Sequence, residues 1–287
     1  MASGTGLRRT RFAPSPTGPL HLGHAYSALV AAGRADPGGF LLRIEDIDHA
    51  RCRPEHEAAI FEDLRWLGLD WPEPVLRQSD RLPLYRGAVD RLAAMGLVYP
   101  CRCRRGDIRE ALSAPQEGAE PVQGPDGPVY PGTCRGRRMA EAGPGDALRL
   151  DMKAALEQIG LASVSFTESG PGLARLPAMT AGQMLAGIGD VVLARRDIGT
   201  SYHIAVVVDD AAQHITEVVR GADLFEATFL HVVLQRLLEL PTPSYHHHAL
   251  IRDEAGKRLA KRDDARALAR YRAEGATPAD IRRMVGL

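Results

Sequence analysis

A pair of histidines around one glycine, at the start of an apolar helical run, constrains this chain more than any other feature. The pattern is His21-x-Gly23-His24, and Ala25 and Leu29 belong to the run that follows it. It predicts a strand-to-helix turn at which backbone N–H groups and the positive end of the helix dipole face an anion. Glycine lets a ligand approach the backbone closely, and imidazoles can donate to oxygens that gain charge in a transition state. The turn therefore suits the phosphates of a nucleoside triphosphate.

Strand and helix patterns alternate along the first hundred residues, which predicts a parallel α/β sheet. Compact apolar runs indicate buried strands, and apolar residues at helical spacing indicate the helices between them. The helices are bounded by proline at a first-turn position or by glycine at the stop. The expected elements are strands at 10–13 and 40–44 and helices at 22–32, 54–67 and 82–95.

Composition changes near residue 101, which predicts an insertion. Residues 113–146 are dense in glycine and proline, so much of this segment is loop. A strand pattern returns at 147–150, and the alternation of strands and helices resumes after residue 189. We expect a Rossmann-like parallel sheet for nucleotide binding, split by the insertion and followed by a short helical tail. The expected division is 1–100 and 186–250 for the two halves, 101–185 for the insertion and 251–287 for the last loop and tail.

The overall charge gives no sign of a nucleic-acid partner, because 36 basic residues balance 36 acidic ones. Only local clusters such as residues 102–105 and 135–138 could bind phosphates, and charge alone favours a solvated surface for them. No apolar stretch approaches the ~20 residues of a membrane helix. Residues 1–9 lack the apolar core of a signal peptide. We therefore expect a cytoplasmic protein with no membrane partner.

Three of the four cysteines flank the loop-rich insertion, as Cys101-x-Cys103 and Tyr130-x3-Cys134. In a cytosolic chain such cysteines are thiols or metal ligands more often than disulfides. Zinc takes four ligands in a tetrahedron, usually thiolate or imidazole. The fourth ligand would come from Tyr130, a nearby histidine or water. From the spacing alone, unligated thiols are an equal alternative.

Charged residues at strand ends predict a crevice for a small charged ligand. Glu45 follows the expected strand 40–44, and ligands of open α/β sheets bind at the carboxyl ends of strands. Arg11 and Arg220 end strands in the two halves of the split sheet, so both can face one crevice. A guanidinium binds a carboxylate in a bidentate way that lysine cannot match. A solvated acidic loop and surface ion pairs stay open as alternatives.

The segment Arg11–His24 resembles the first signature of the glutamyl-tRNA synthetase family of class I aminoacyl-tRNA synthetases. Two histidines near a turn are by themselves more often structural, but agreement over fourteen positions extends far beyond them. The resemblance runs from residue 10 to about residue 264 and covers the catalytic half of the longer members. It implies that His21, Gly23 and His24 act on ATP, which would bring Mg²⁺ with it.

The resemblance also implies a glutamate site and a second contact to ATP. The residues around glutamate would be Arg11, Phe12, Ala13, Pro14, Ser15, Glu45, Tyr202 and Arg220. The carboxylate of Glu45 would bind the α-ammonium group. The basic run 257–262 occupies the place of the second signature, KMSKS, with Lys261 at the phosphates. Ala260 replaces the usual serine, which removes a hydroxyl donor.

Two features resemble the short members of the family, the glutamyl-queuosine tRNA(Asp) synthetases. Those enzymes carry Cys-x-Cys and Tyr-x3-Cys at this place, which implies one structural zinc on Cys101, Cys103, Tyr130 and Cys134. Only 26 residues follow Lys261, too few for the anticodon-reading domains of longer members. The resemblance implies a ligase that activates L-glutamate with ATP and transfers it to queuosine in the anticodon loop of tRNA(Asp). We expect a monomer.

Two alternatives to this function stay open. The chain could be a truncated synthetase that charges a tRNA 3′ end, or a non-catalytic tRNA-binding paralogue. Ala260 keeps the second alternative open, and the intact residues at positions 21, 23, 24, 45 and 261 argue against it. Without anticodon domains, we expect the anticodon loop at the active-site crevice, with arginines of 104–105 and 137–138 on its phosphates. The histidines at 246–248 are expected to be structural, because consecutive side chains of a strand point to opposite faces.

Overall fold

Three parallel strands begin the fold in the computed structural model, which describes residues 6–113, 121–251 and 266–287. The first strand lies beside the second and the second beside the third, with helical crossovers between them. Parallel neighbours need such crossovers, because their ends lie at opposite edges of the sheet. The elements are β1 (Thr10–Phe12), α1 (Leu22–Arg34), β2 (Phe40–Ile44), α2 (Pro54–Trp66), β3 (Leu76–Arg77) and α3 (Leu82–Ala94).

A second parallel pair of strands joins this sheet from far along the chain. The Arg9 carbonyl accepts hydrogen bonds from the amides of Thr216, at 3.0 Å, and Glu217, at 3.1 Å. The second pair therefore lies beside β1, and the prediction of an α/β fold with a parallel sheet is confirmed. The elements are α7 (Tyr202–Ala212), β11 (Glu217–Gly221), α8 (Phe225–Leu237) and β12 (Ser244–His248), with β11 parallel to β12.

Segments that lie between α3 and α7 in the chain form a three-stranded antiparallel sheet. Its strands are β4 (Val98–Cys101), β7 (Ala147–Leu150) and β10 (Val192–Ala194), and their order in the sheet is β10-β7-β4. The sequence predicts that parallel alternation resumes after residue 189, but β10 pairs antiparallel with β7. A short apolar run has the same pattern in either kind of sheet, so it does not identify its partner. This sheet therefore crosses both expected boundaries of the insertion, 101 and 185.

The remaining elements lie between β4 and β10 in the chain or follow β12. The C-terminal helices pack on the first half of the fold through Leu268 and Ile281, which are fully buried in its apolar core. Among the described helices, none is long and apolar enough to cross a membrane. The elements are α4 (Arg105–Ser113), β5 (Gln123–Gly124), β6 (Gly127–Pro128), α5 (Met152–Ile159), β8 (Ser163–Ser165), β9 (Ala178–Thr180), α6 (Ala181–Gly187), α9 (Leu268–Ala273) and α10 (Pro278–Met284).

Candidate functional site

A cavity of about 530 Å³ opens at the carboxyl ends of β1 and β11, beside the first turns of α1 and α7. It brings together ten of the residues that the sequence predicts for the site. The first segment contributes Arg11, Phe12, Ala13 and Ser15, and the turn into α1 contributes His21, Gly23 and His24. Glu45, Tyr202 and Arg220 complete the set.

Pro14 is the one described residue of the predicted glutamate and ATP sites that does not line the cavity. Its carbonyl accepts a 3.0 Å hydrogen bond from the Glu45 amide. It therefore supports the backbone of Glu45. Lys261 falls outside the described residues, as does the rest of the KMSKS-like run. Before the undescribed segment 252–265, Ile251 lines the cavity. After it, Ala267 forms a β-bridge with His21.

The two histidines at the start of α1 are oriented by the helix backbone. His21 is the N-cap, and its Nδ1 accepts a 3.1 Å hydrogen bond from the Gly23 amide. The Nδ1 of His24 accepts from the His21 amide at 3.2 Å. A neutral imidazole that accepts at Nδ1 carries its hydrogen on Nε2. Both rings are therefore set to donate through Nε2. A Cβ on Gly23 would lie 3.0 Å from the His21 ring, so the glycine also makes room for that ring.

A buried charge cluster underlies the Arg11 side of the cavity. Arg11 Nε donates to Asp210 at 2.9 Å, and Arg43 Nη1 donates to the same carboxylate at 2.7 Å. Arg43 is fully buried and also reaches Glu45 at 3.4 Å. Burial alone would raise the pKa of Asp210, but the two arginines outweigh it and lower that pKa. Asp210 is therefore a charged counter-ion that α7 supplies to two strands.

The carboxyl group of Glu45 is less well compensated by the neighbouring arginines than that of Asp210. Its side chain is 10% exposed, and it faces the cavity next to Arg43. Burial raises the pKa of Glu45, although Arg43 and Arg11 oppose the shift. A cationic ligand in the cavity would favour the ionised form of this carboxyl. Glu45 is thus suited to bind an ammonium group.

Arg220 has only neutral partners among the described residues. Its guanidinium donates to Thr228 Oγ1 at 2.6 Å and to the hydroxyl of Tyr202 at 3.3 Å. It lies 3.2 Å from His231 Nδ1 and from His247 Nε2. Within the part of the chain that is described, no carboxylate lies within 4.0 Å of this guanidinium. A buried cation without a local counter-ion favours binding of an anion.

The histidines that contact Arg220 are neutral. Burial and the charge of Arg220 lower the pKa of His231 well below 6.5. Burial, followed by Arg220, lowers the pKa of His247 to about 4, although Glu168 opposes the shift. His247 Nδ1 lies 2.5 Å from Glu168 Oε2, a contact that assigns its hydrogen to Nδ1. Its Nε2 is then an acceptor for Arg220.

Sequence analysis missed several residues of this site. Arg43 alternates with Glu45 in sequence, which is the spacing of side chains on one face of a strand. Asp209 and Asp210 are adjacent acids within an otherwise apolar helix, a pattern that indicates buried partners. Both signals could have been found. The contacts of His231 could not, because it resembles an ordinary core residue of α8.

The three consecutive histidines of β12 have different partners, so they do not form one ligand set. His246 contacts Ser169 Oγ at 3.0 Å, and His247 contacts Glu168. His248 contacts Ser27 Oγ at 2.7 Å, and both of these residues line the cavity. The three histidines were predicted to be structural. His248 also lines the cavity of the candidate site.

Three thiols and a phenol from residues 101–134 converge in the structure. The ligand atoms of Cys101, Cys103 and Cys134 lie within 4.8 Å of one another and could hold a metal ion. The Tyr130 hydroxyl lies 3.4 Å from the sulfurs of Cys101 and Cys103. Zn–S bonds of about 2.3 Å place tetrahedral ligands about 3.8 Å apart, which is close to this spacing. The donor set therefore fits a tetrahedral metal.

The phenol of this cluster is fixed from two sides. Its oxygen accepts a 2.8 Å hydrogen bond from the Cys134 amide, and the Arg149 guanidinium lies 3.9 Å above the Tyr130 ring. Burial raises the pKa of Cys134, but hydrogen bonds from Tyr130 and the Arg102 amide outweigh it and lower that pKa to about 7. The cluster is thus pre-organised without a disulfide.

The basic clusters of the insertion divide into engaged and exposed arginines. Arg137 forms a 3.0 Å salt bridge with Asp146 and donates to the Pro100 carbonyl at 3.2 Å. Arg138 is exposed, as is Arg105. The two predicted phosphate contacts at 137–138 therefore differ, because Arg137 already binds Asp146 and the Pro100 carbonyl.

Comparisons with known proteins all point to one family. The family described as tRNA synthetases class I (E and Q), catalytic domain, matches residues 8–135 and 178–287. The Glutamyl-Q tRNA(Asp) synthetase of Rhodobacter capsulatus is 62% identical over 283 residues, which cover 97% of this chain and 99% of that protein. The protein of the same name from Symbiobacterium thermophilum is 42% identical over 286 residues, which cover 94% and 83%.

A solved structure has the same fold. The glutamate-tRNA synthetase of Elizabethkingia anophelis superposes with a TM-score of 0.76 at 25% sequence identity. The superposition covers 98% of this chain and 61% of that protein, so this chain spans about three fifths of the longer enzyme.

Proposed function

This chain belongs to the tRNA synthetases of class I (E and Q), and on that basis we propose that it activates L-glutamate with ATP and transfers the glutamyl group to queuosine in tRNA(Asp). The observation that carries the proposal is Arg220, a buried cation in the cavity whose described partners are all neutral. Two relatives named Glutamyl-Q tRNA(Asp) synthetase match over nearly the whole chain. They favour queuosine as the acceptor.

The cavity has separate charges for the two ends of glutamate. The side-chain carboxylate would accept hydrogen bonds from Arg220 and from the hydroxyl of Tyr202. The α-ammonium would lie against Glu45, whose backbone Pro14 supports. Arg11 is already bound to Asp210, so it contributes a wall of the site more than a free charge. Phe12, Ala13 and Ser15 would complete that wall.

Activation forms a bond between the glutamate α-carboxylate and the α-phosphorus of ATP. The bond from that phosphorus to the bridging oxygen breaks, and pyrophosphate leaves with the electron pair. Little covalent work falls to the protein, so positioning and electrostatic stabilisation supply catalysis. His21 and His24 would donate from Nε2 to phosphate oxygens, and Lys261 would hold the leaving pyrophosphate. Mg²⁺ would enter with ATP.

Transfer follows at the same place. A hydroxyl of the cyclopentene ring of queuosine attacks the glutamyl carbonyl, AMP leaves, and an ester forms. The anticodon loop would have to reach the mouth of the cavity, and the exposed Arg105 and Arg138 are proposed to lie along its path. Those arginines would contact phosphates without reading sequence.

The thiol cluster supports a structural zinc site on Cys101, Cys103, Tyr130 and Cys134. Four protein ligands leave no position for a reacting water, so the metal would hold the insertion together. Metal analysis of the purified protein should give about one zinc per chain. Cys103→Ser should lower the zinc content, and Cys52→Ser is the matched control outside the cluster. Purified protein that is fully folded without metal would contradict the site.

The function is tested with two assays on the intact protein. Glutamate-dependent exchange of pyrophosphate into ATP should occur without tRNA. Labelled glutamate should then be transferred to an anticodon stem-loop that carries queuosine, and not to the same stem-loop with guanosine. Transfer only to the 3′ end of intact tRNA would favour the truncated synthetase. Absence of exchange would favour the non-catalytic paralogue.

A further inference from the structure

Two chains of hydrogen bonds lead from Arg220 to carboxylates that the insertion supplies. The shorter chain passes through His247, which lies 3.2 Å from Arg220 and 2.5 Å from Glu168. The longer chain passes through His231 and His203, whose rings are 3.0 Å apart, and ends at Asp126, 3.0 Å from His203 Nε2. Both carboxylates therefore lie one or two imidazoles away from the guanidinium.

The hydrogen positions along both chains are mutually consistent. Arg220 donates to the Nε2 of His247, whose Nδ1–H donates to Glu168. On the other side Arg220 donates to His231 Nδ1, and His231 Nε2–H donates to His203. Every imidazole in the two chains thus accepts on the side of Arg220 and donates on the side of a carboxylate. Such an arrangement fixes the direction of each ring, because reversing one would break its neighbour's hydrogen bond.

The Glu168 end of the shorter chain is rigid. Glu168 is 2% exposed, and its Oε1 accepts hydrogen bonds from the amides of His247, at 3.0 Å, and Gly170, at 2.5 Å. A Cβ on Gly170 would overlap the His247 carbonyl, so only glycine permits this approach. Residues 136–177, which include Glu168, lie outside the two ranges that the family description matches.

We propose that Glu168 and Asp126 are positioning residues for Arg220, and that they act through His247 and through the His203–His231 pair. A carboxylate in direct contact with Arg220 would compete with the carboxylate of a ligand. The imidazoles of His247 and His231, which contact Arg220 instead, hold the guanidinium in place and add no negative charge beside it. The insertion therefore shapes the amino-acid site of the other half of the chain. This inference rests on the proposed role of Arg220 in glutamate binding.

The test measures KM for glutamate, KM for ATP and kcat in pyrophosphate exchange. In Glu168→Gln the KM for glutamate should rise about tenfold, with the KM for ATP and kcat nearly unchanged. In Asp126→Asn the rise should be about threefold, because that carboxylate is 52% exposed and farther from Arg220. The exposed position also means that Asp126→Asn should fold even if Glu168→Gln does not.

Each variant has a matched control. For Glu168→Gln the control is His246→Ala. His246 precedes His247 in β12 and contacts Ser169, the residue after Glu168, but it has no contact with Arg220. Glu157→Gln removes an exposed acid of the insertion that pairs only with Lys153 among the described residues. Both should leave all three constants unchanged. An unchanged KM for glutamate in Glu168→Gln and Asp126→Asn would overturn the inference, as would parallel rises in both KM values.

Intermediate results are equally decisive. A rise in the KM for glutamate in only one variant would support the hydrogen-bond chain of that variant and overturn the other chain. If the wild-type protein shows no glutamate-dependent exchange, the proposed function fails before the variants are compared. If it is active and the variants match their controls, the positioning inference alone fails.

Discussion

Two buried guanidinium groups line the same cavity, and their surroundings are opposite. Arg11 is held directly by the carboxylate of Asp210, which also binds Arg43. Arg220 is held by a phenol, a threonine hydroxyl and two neutral imidazoles. The first arrangement cancels charge inside the protein, and the second keeps charge available. The difference teaches that two arginines predicted for one site can have opposite charge balance, and it predicts that Arg220 is the one available to bind a ligand.

The comparison can be broken most severely at Asp210. Asp210→Asn should lower the free energy of unfolding by about 3–5 kcal/mol, because it leaves two buried arginines without their shared counter-ion. Urea unfolding monitored by circular dichroism measures this loss. Glu157→Gln, at an exposed ion pair, should change it by less than about 1 kcal/mol. A loss at Asp210 as small as the control's would mean that Arg11 and Arg43 do not depend on it.

Arg220→Ala should show the reverse balance of activity and stability. It should weaken glutamate use by about 1.5–3 kcal/mol in kcat/KM, the value of a hydrogen bond to a charged group. Its effect on unfolding should be smaller than that of Asp210→Asn, because no buried carboxylate is left unpaired among the described residues. Pyrophosphate exchange with glutamate and with aspartate measures the first effect. Equal use of the two amino acids by the wild-type protein would contradict the assignment of the pocket.

Acid should weaken the Arg220 side before the Arg11 side. Burial and Arg220 lower the pKa of His247 to about 4 from 6.5. Its stabilising contribution is therefore complete above pH 6.5 and is lost as the pH falls from 6.5 to 4. The pKa of Asp210 is lowered from 3.8, so its contribution is lost only below pH 3.8.

This window separates the two sides of the cavity. Between pH 6.5 and about 4.5, the stability of the wild-type protein should fall more steeply than that of His247→Asn, by about 1 kcal/mol per pH unit. Taking the difference removes groups with the opposite slope, such as Asp63, whose pKa burial raises to about 6. Parallel pH profiles for the two proteins would show that His247 does not titrate on unfolding.

The smallest expected effect extends the comparison to the surface of the insertion. Arg138→Glu should weaken tRNA binding several-fold and flatten its salt dependence, because an exposed arginine is free to meet a phosphate. Arg137→Glu breaks the salt bridge to Asp146 and should destabilise the insertion instead. Filter binding over a salt series, with glutamate activation measured in parallel, separates the two. Identical effects of both changes on binding and stability would remove the distinction.

The sequence predicts elements well where one local pattern decides them. The strands expected at 40–44 and 147–150 match β2 and β7, and α1 runs only two residues beyond its expected end. Glycine stops explain the accuracy at the ends of α2 and α3, because Gly68 and Gly96 adopt positive φ. The sequence predicts the pairing partners of strands less well. The antiparallel pairing of β10 with β7 is an example.

The residues of the candidate site that face the cavity could be predicted from the sequence. The residues that hold them in place could not. The resemblance brought Arg11, Glu45 and Arg220 together before any coordinates, and they do line one cavity. The histidines behind Arg220 come from α7, α8 and β12, and nothing local marks them as partners. Side chains whose role depends on contacts between distant segments carry no periodic signal.

The hydrogen bond from the Thr216 amide to the Arg9 carbonyl has a consequence for synthesis. It joins residues 207 positions apart, so β1 meets its neighbour β11 only after the insertion has been made. At ribosomal rates of about 5–20 residues per second, the nascent sheet waits roughly 10–40 s with one side of β1 open. An open strand edge is a template for pairing with other chains. During synthesis this edge of β1 is therefore open to pairing with other chains until β11 has been made.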